Sequence, residues 1–208
     1  MRIVLISTVH KEIGKCNSEV LYKLIESIKP EVIFLEELEE NYSSYDQVLF
    51  SQFGVYKERL ELKTIQAYSQ NNTFEYVPVL EFGLSDEFDT KVKIVSKNKE
   101  YQMLLDNYTL LESDYGFEFL NSNKSIMLQE EMRQLENHII DNENLHQQVN
   151  ASIDEYENSM LHNIYSFCKE GTFNTAIFMC GAAHRKSIIE KINTSESKIH
   201  WTFYNETL

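Results

Sequence analysis

The sequence predicts an α/β fold: a central, mainly parallel sheet flanked by helices, with a helix-rich middle insertion. Three observations lead there. Short, greasy, β-branched runs lack the alternation of a half-exposed strand, as expected of strands buried on both faces. Stretches of helical period separate them. Gly (6) and Pro (2) are scarce, which speaks against a fold of many tight hairpins.

The elements follow in chain order. "RIVLI" (2–6) reads as a buried strand. "NSEVLYKLIESIKP" (17–30) reads as a helix: Asn17 or Ser18 can cap it, Val20, Leu21, Leu24, Ile25 and Ile28 share a face, and Pro30 ends it. "EVIFLEE" (31–37) is a second buried strand. Strand, helix, strand in this order is a βαβ unit with parallel strands and a right-handed crossover. The stretch 43–70 has a helical pattern. "FEYVPVLEF" (74–82) is a third strand, kept short because Pro78 cannot donate to a ladder.

From about 85 to 150 the chain is polar and helical in period. One stripe is Tyr101, Leu104, Leu105, Tyr108 and Leu111; another is Leu128, Met132, Leu135 and Ile139. "AIFMCG" (176–181) is a late buried strand, "RKSIIEKI" (185–192) a helix, and "KIHWTFYN" (198–205) an alternating final strand at an edge. Residues 1–208 are expected to form one α/β domain, with about 85–150 as a helical insertion or lid.

Composition narrows the function. A net charge of −14 repels phosphate backbones and anionic lipid, so neither nucleic acid nor a membrane is an expected partner. Cys16, Cys168 and Cys180 are odd in number and have no paired spacing, which predicts free thiols in a reducing compartment. No run approaches a membrane span, and His10, Lys11, Glu12 and Lys15 break the N-terminal apolar run before it reads as a signal peptide. A cytoplasmic protein is the expectation.

Ligands of open parallel sheets bind beyond the carboxyl ends of the strands. His10 follows the first strand there, Glu36 and Glu37 end the second, and His184 follows the late strand. Both histidines stand three residues after a small residue, Ser7 or Gly181, that lets the backbone turn and approach a ligand. Singly, each has an ordinary reading as a hydrogen-bonded surface residue. Glu157 adds a fourth member. In "ASIDEYENSMLHNIYSFCKEG" (151–171) it falls within the apolar stripe of Ile153, Tyr156, Met160, Leu161, Ile164, Phe167 and Cys168. A carboxylate there must be protonated, paired or bound to a cation. His138, His146, His162 and His200 read as surface residues, and Glu81 as the start of a solvated loop.

Four motifs also carry a resemblance: "STVH" (7–10) is similar to a first G-x-x-H, "KPEVIFLEEL" (29–38) to a strand ending in an acidic position at Glu36, "YENSMLHNI" (156–164) to an R-[DE]-x-x-M helix with Glu157 acidic, and "GAAHRKSI" (181–188) to a second G-x-x-H. In order and spacing they resemble the superfamily that contains TraB- and Tiki-like proteins, erythromycin esterases and haem-binding ChaN-type proteins. Ser7 replaces the first glycine, and Tyr156 stands where that pattern has arginine. The resemblance covers the two ends of the chain.

The resemblance implies a hydrolase acting on a small-molecule or peptide substrate, with His10, Glu36, Glu157 and His184 in the site and Arg185 as an anion contact near a helix N-terminus. In one version His10, Glu36 and His184 bind a divalent metal (Zn, Mn, Fe or Co) that activates water, and Glu157 takes the proton. In the other, one histidine oriented by Glu36 or Glu157 is the general base, without metal. A different class, also implied, is a ChaN-like protein that binds haem or a small molecule without catalysis, its pocket lined by some of the 12 Tyr and 12 Phe residues. A third is a member that has lost its chemistry with the arginine and works through partners.

Overall fold

The computed structural model describes residues 1–38 and 59–205. Five strands form one sheet: β1 (Arg2–Thr8), β2 (Val32–Leu38), β3 (Glu75–Leu80), β4 (Thr175–Gly181) and β5 (His200–Phe203). Their order is β3-β2-β4-β1-β5, and every pairing is parallel. The described residues form eight α-helices: α1 (Ser18–Ile28), α2 (Leu60–Ser69), α3 (Asp86–Val95), α4 (Lys99–Tyr115), α5 (Phe117–Leu120), α6 (Asn123–Ile139), α7 (Glu143–Glu170) and α8 (Arg185–Thr194). The α/β class and the parallel sheet are as the sequence predicts. Of the helical stretch expected over 43–70, positions 43–58 lie outside the described residues, and the remainder is α2.

β4 lies between β1 and β2, so the two strands of the first βαβ unit do not pair with each other. The reason is burial. Ala176 to Cys180 are all within 1% of fully buried, and a strand with no solvated face belongs at the middle of a sheet. β3 and β5 occupy the edges. That position tolerates Pro78, whose nitrogen has no proton to give a ladder.

Alternation along each strand sends side chains to two cores. Val4, Ile6, Ile33, Leu35, Ile177 and Met179 pack with α1, α2 and α4–α6 on one face. Ile3, Leu5, Val32, Phe34, Phe178 and Cys180 pack with α7 and α8 on the other. The middle helices α4–α6 therefore belong largely to the first core, through Tyr108, Phe117, Phe119, Leu120 and Met132. A small satellite of Val95, Ile140, Leu145 and Val149 ties α3 to the start of α7. Leu105 leaves the stripe expected for α4 and is 38% exposed.

The helix ends follow their capping chemistry. Asn17 accepts a hydrogen bond from the Val20 N–H at 3.0 Å to start α1. Lys29 closes that helix in the left-handed region at φ 52°, donating to the Ile25 carbonyl, and Pro30 follows. Asn142 caps α7 in the same way, through the Leu145 N–H. All three cysteines are free and buried. Among the described residues no helix is long and apolar enough to cross a membrane.

Candidate functional site

Register sets the rim of the sheet. Ile6 and Leu35 both pair with Met179, so the next positions, Ser7, Glu36 and Cys180, stand level at the carboxyl ends. Alternation then decides the face. Glu36 follows the parity of Phe34 and faces α7; Glu37 follows Leu35 and faces α2.

On the α7 face, four groups meet. The His184 Nδ1 lies 2.9 Å from Glu157 Oε1, and its Nε2 lies 3.7 Å from Glu36 Oε1. Since a carboxylate oxygen only accepts, the Nδ1 carries the proton of the shorter contact. The Tyr156 hydroxyl donates to Glu36 Oε1 at 2.7 Å, and the Gly181 N–H donates to Glu36 Oε2. The Tyr156 ring lies near-parallel to the imidazole, with centroids 5.3 Å apart and planes 27° from parallel. Ser187, one helical turn after His184, donates its hydroxyl to Glu157 Oε2. Lys191 stands 3.8 Å from the same oxygen.

Local sequence explains the placement. β4 runs straight into a 3₁₀ turn at Ala182–His184 and then into α8, so His184 is held at the junction rather than on a loop. Glu157 is 1% exposed, on the buried stripe of α7 as its position in the pattern predicts. Burial disfavours the charged imidazole. The hydrogen bond that His184 donates to Glu157 and the charges of Glu36 and Glu157 outweigh it and raise the His184 pKa above its ordinary value.

The site opens on a cavity of about 370 Å³. α3, α6 and α7 wall it with Phe88, Met132 and Ile153, and Glu157 and His184 line it together with Arg133. Arg133 donates to the Ala183 carbonyl of the 3₁₀ turn and pairs with Glu130. Lys91 also lines the cavity but is held by Glu136 at 2.6 Å.

His10 belongs to a second cluster, on the α2 face. Its Nδ1 lies 3.1 Å from Glu61 Oε1 and 2.8 Å from the Arg59 guanidinium. The Thr8 hydroxyl donates to the same Glu61 oxygen at 2.8 Å, and Arg59 donates to Glu37 Oε2 at 2.8 Å and to the Glu36 carbonyl at 3.2 Å. The imidazole is half exposed, whereas Glu61 is buried. Burial would raise the Glu61 pKa, but the hydrogen bond and charge of His10 and the charge of Arg59 hold it below its ordinary value.

The expected metal set of His10, Glu36 and His184 is thus not assembled. Thr8 has the parity of Ile6, and the chain beyond it carries His10 to the α2 side, away from the partners of Glu36. Both Glu36 oxygens already accept protein hydrogen bonds. Among the described residues no group of three His, Cys, Asp or Glu side chains is arranged to hold a metal ion. These residues do not fit the metal version of the chemistry.

Arg185 is not at the open rim either. It is 3% exposed, donating to Asn121 Oδ1 at 2.8 Å, to Ser7 Oγ at 3.3 Å and to the Tyr204 carbonyl at 3.0 Å. Asn121 completes this knot by pairing with the Ser7 backbone, accepting from its N–H at 2.7 Å and donating to its carbonyl at 3.0 Å. It continues the ladder where β5 has ended, with an amide side chain in place of a strand.

Sequence reasoning brought Glu36, Glu157 and His184 together and passed over Tyr156, Ser187, Arg59 and Glu61 as site members. Glu61 carried a readable signal: with Ile65 and Tyr68 it forms an i, i+4, i+7 stripe, the same pattern that exposed Glu157. By its period Tyr156 reads as one more core aromatic; its one signal is its place at the arginine position of the resembled motif, which does not point to a carboxylate partner.

Comparison of the chain with protein-family models, with curated proteins and with solved structures finds no match.

Proposed function

We propose that the protein is a hydrolase of acyl substrates, with His184 as the general base and the cavity between α3, α6 and α7 as the substrate site. One observation carries the reading: a buried His–Glu pair, His184 Nδ1 to Glu157 Oε1 at 2.9 Å, lines a cavity large enough for a small molecule. Glu157 fixes the tautomer, so that Nε2 holds the lone pair. Nε2 takes a proton from water as the oxygen attacks the acyl carbon. The resulting imidazolium, stabilised by Glu157 and Glu36, then returns that proton to the leaving oxygen or nitrogen. In this reading Arg133, a cation on the cavity wall, meets the developing oxyanion.

Acyl rather than phosphoryl chemistry is favoured by charge. The chain carries −14, and the acidic side chains that line the cavity, Glu136, Asp154 and Glu157, outnumber its lysine and arginine, Lys91 and Arg133, which opposes entry of a dianion. The reading agrees with what the resemblance to TraB-, Tiki- and erythromycin esterase-like proteins implies in its metal-independent form.

The test is a panel of ester, amide and phosphoester substrates offered to the wild type, H184A and E157Q. Turnover of an ester or amide that H184A loses and E157Q reduces supports the reading. Turnover that survives in H184A, or a wild type inert on the entire panel, removes it.

A further inference from the structure

Tyr156 does two things at once in the site. Its hydroxyl donates to Glu36 Oε1 at 2.7 Å, and its ring lies along the face of His184. The Glu36 oxygen it binds is the one that faces His184 Nε2, at 3.7 Å. A carboxylate beside an imidazole ordinarily closes to about 2.7–2.9 Å and takes the ring proton. Here it stands off. The other Glu36 oxygen is held by the Gly181 N–H, so the carboxylate is pinned at both ends and cannot swing toward the ring.

We infer that Tyr156 is a positioning residue: its hydroxyl holds the Glu36 carboxylate off His184 Nε2, leaving that nitrogen free to take a proton from the reacting water. The stacked ring serves the same end, because it fixes the imidazole plane while Glu157 fixes the tautomer. Without the hydroxyl, Glu36 Oε1 would be a buried acceptor with no donor but Nε2 among the described residues. It would close on the ring and keep the base protonated. The catalytic part of this inference rests on the proposed role of His184; the contact between Tyr156, Glu36 and Nε2 does not.

The test is nitrogen NMR of the protein labelled at histidine, recorded at one fixed pH where the wild-type ring is neutral. Wild type is expected to show a free, unprotonated His184 Nε2. Y156F keeps the ring and loses one oxygen; its Nε2 signal should move to that of a protonated, hydrogen-bonded nitrogen, and kcat should fall at least tenfold with KM little changed. Y156L, which also frees Glu36, should displace the signal in the same direction. In the E36Q background the effect of Y156F on the signal should vanish, because the amide cannot form the ion pair.

An Nε2 signal unmoved by Y156F and Y156L overturns the inference. So does a displacement of equal size in E36Q, because the effect then does not pass through Glu36. The two proposals fail separately. The expected spectra with no turnover on any substrate would remove the hydrolase and leave the contact. Turnover that depends on His184 with an unmoved Nε2 would do the reverse.

Discussion

Glu36 and Glu37 are consecutive on β2, and the sheet separates them. Glu36 accepts from Tyr156 and Gly181 on the α7 face, and Glu37 accepts from Arg59 on the α2 face. One residue of strand parity thus divides the polar rim into two clusters, each with its own histidine and its own buried helical carboxylate: His184 with Glu157, and His10 with Glu61.

Replacing Glu157 tests the pair at the centre of the proposed site. E157Q keeps the shape but removes the charge that orients and stabilises the imidazolium. The expected outcome is a loss of about 10²-fold or more in kcat, within the range of a disabled general base. The charged hydrogen bond also contributes about 2 kcal/mol to stability. Steady-state kinetics and urea unfolding on the same preparation measure both.

The pH dependence of activity should follow His184. The free base must be neutral, so kcat/KM should rise with pH through a midpoint above the ordinary 6.5. Stability runs the other way. A histidine pKa raised by folding contributes stability that is complete below 6.5 and lost as pH rises through the folded value. H184Q should remove the kinetic limb and flatten this part of the stability profile; a profile unchanged in H184Q would show another group responsible.

Glu61 should govern the acid side. Its pKa is lowered by folding, so its contribution is present above 4.5 and lost as pH falls through the folded value. E61A leaves Arg59 and Thr8 without that partner in a buried setting and should cost about 3–5 kcal/mol at neutral pH, less as the pH falls. Chemical denaturation across that range measures it.

Glu112 predicts the opposite sign. It is buried on α4, and burial raises its pKa from 4.5 to about 7. Between those values the folded state binds the extra proton, so stability should decline as pH rises through the window. E112Q should abolish that decline and exceed the wild type above neutrality by about 1–3 kcal/mol. Thermal melts of both proteins across the window decide it.

Asn121 should matter for the fold and not for the chemistry. N121A strips the Ser7 N–H and carbonyl of their partners and removes one acceptor from the buried Arg185. A loss of about 3 kcal/mol is expected, with His184-dependent turnover preserved at temperatures where the variant is folded. Turnover lost from a folded N121A would place Arg185 nearer the chemistry than its contacts do.

Much of this was legible in the chain. The five strands and the first and last described helices, α1 and α8, fall close to where hydrophobic period puts them, because a backbone element shows its buried face in its own spacing. Glu157 was legible for the same reason: a carboxylate in an apolar stripe conflicts with its neighbours unless a partner waits. The metal set was not, since His10 and His184 share a local context and differ only in the face each strand end presents. Arg185 misled in a related way. Its place at a helix start suggests an anion contact, and only the approach of Asn121 and Tyr204 shows why it is enclosed.

By itself, then, the sequence determined the α/β class, the parallel rim and three of the side chains gathered there, because burial on two faces and helical period are local properties of residue order. The tertiary structure alone decided that β4 enters between β1 and β2, that Glu36 and Glu37 part company, and that Tyr156 stands against both Glu36 and His184. Those are contacts between residues far apart in the chain, 145 positions from Glu36 to Gly181 and 173 from Ser7 to Cys180. No local pattern encodes them, since they arise only when the buried strand takes the centre and the sheet's alternation assigns each side chain to one layer of helices.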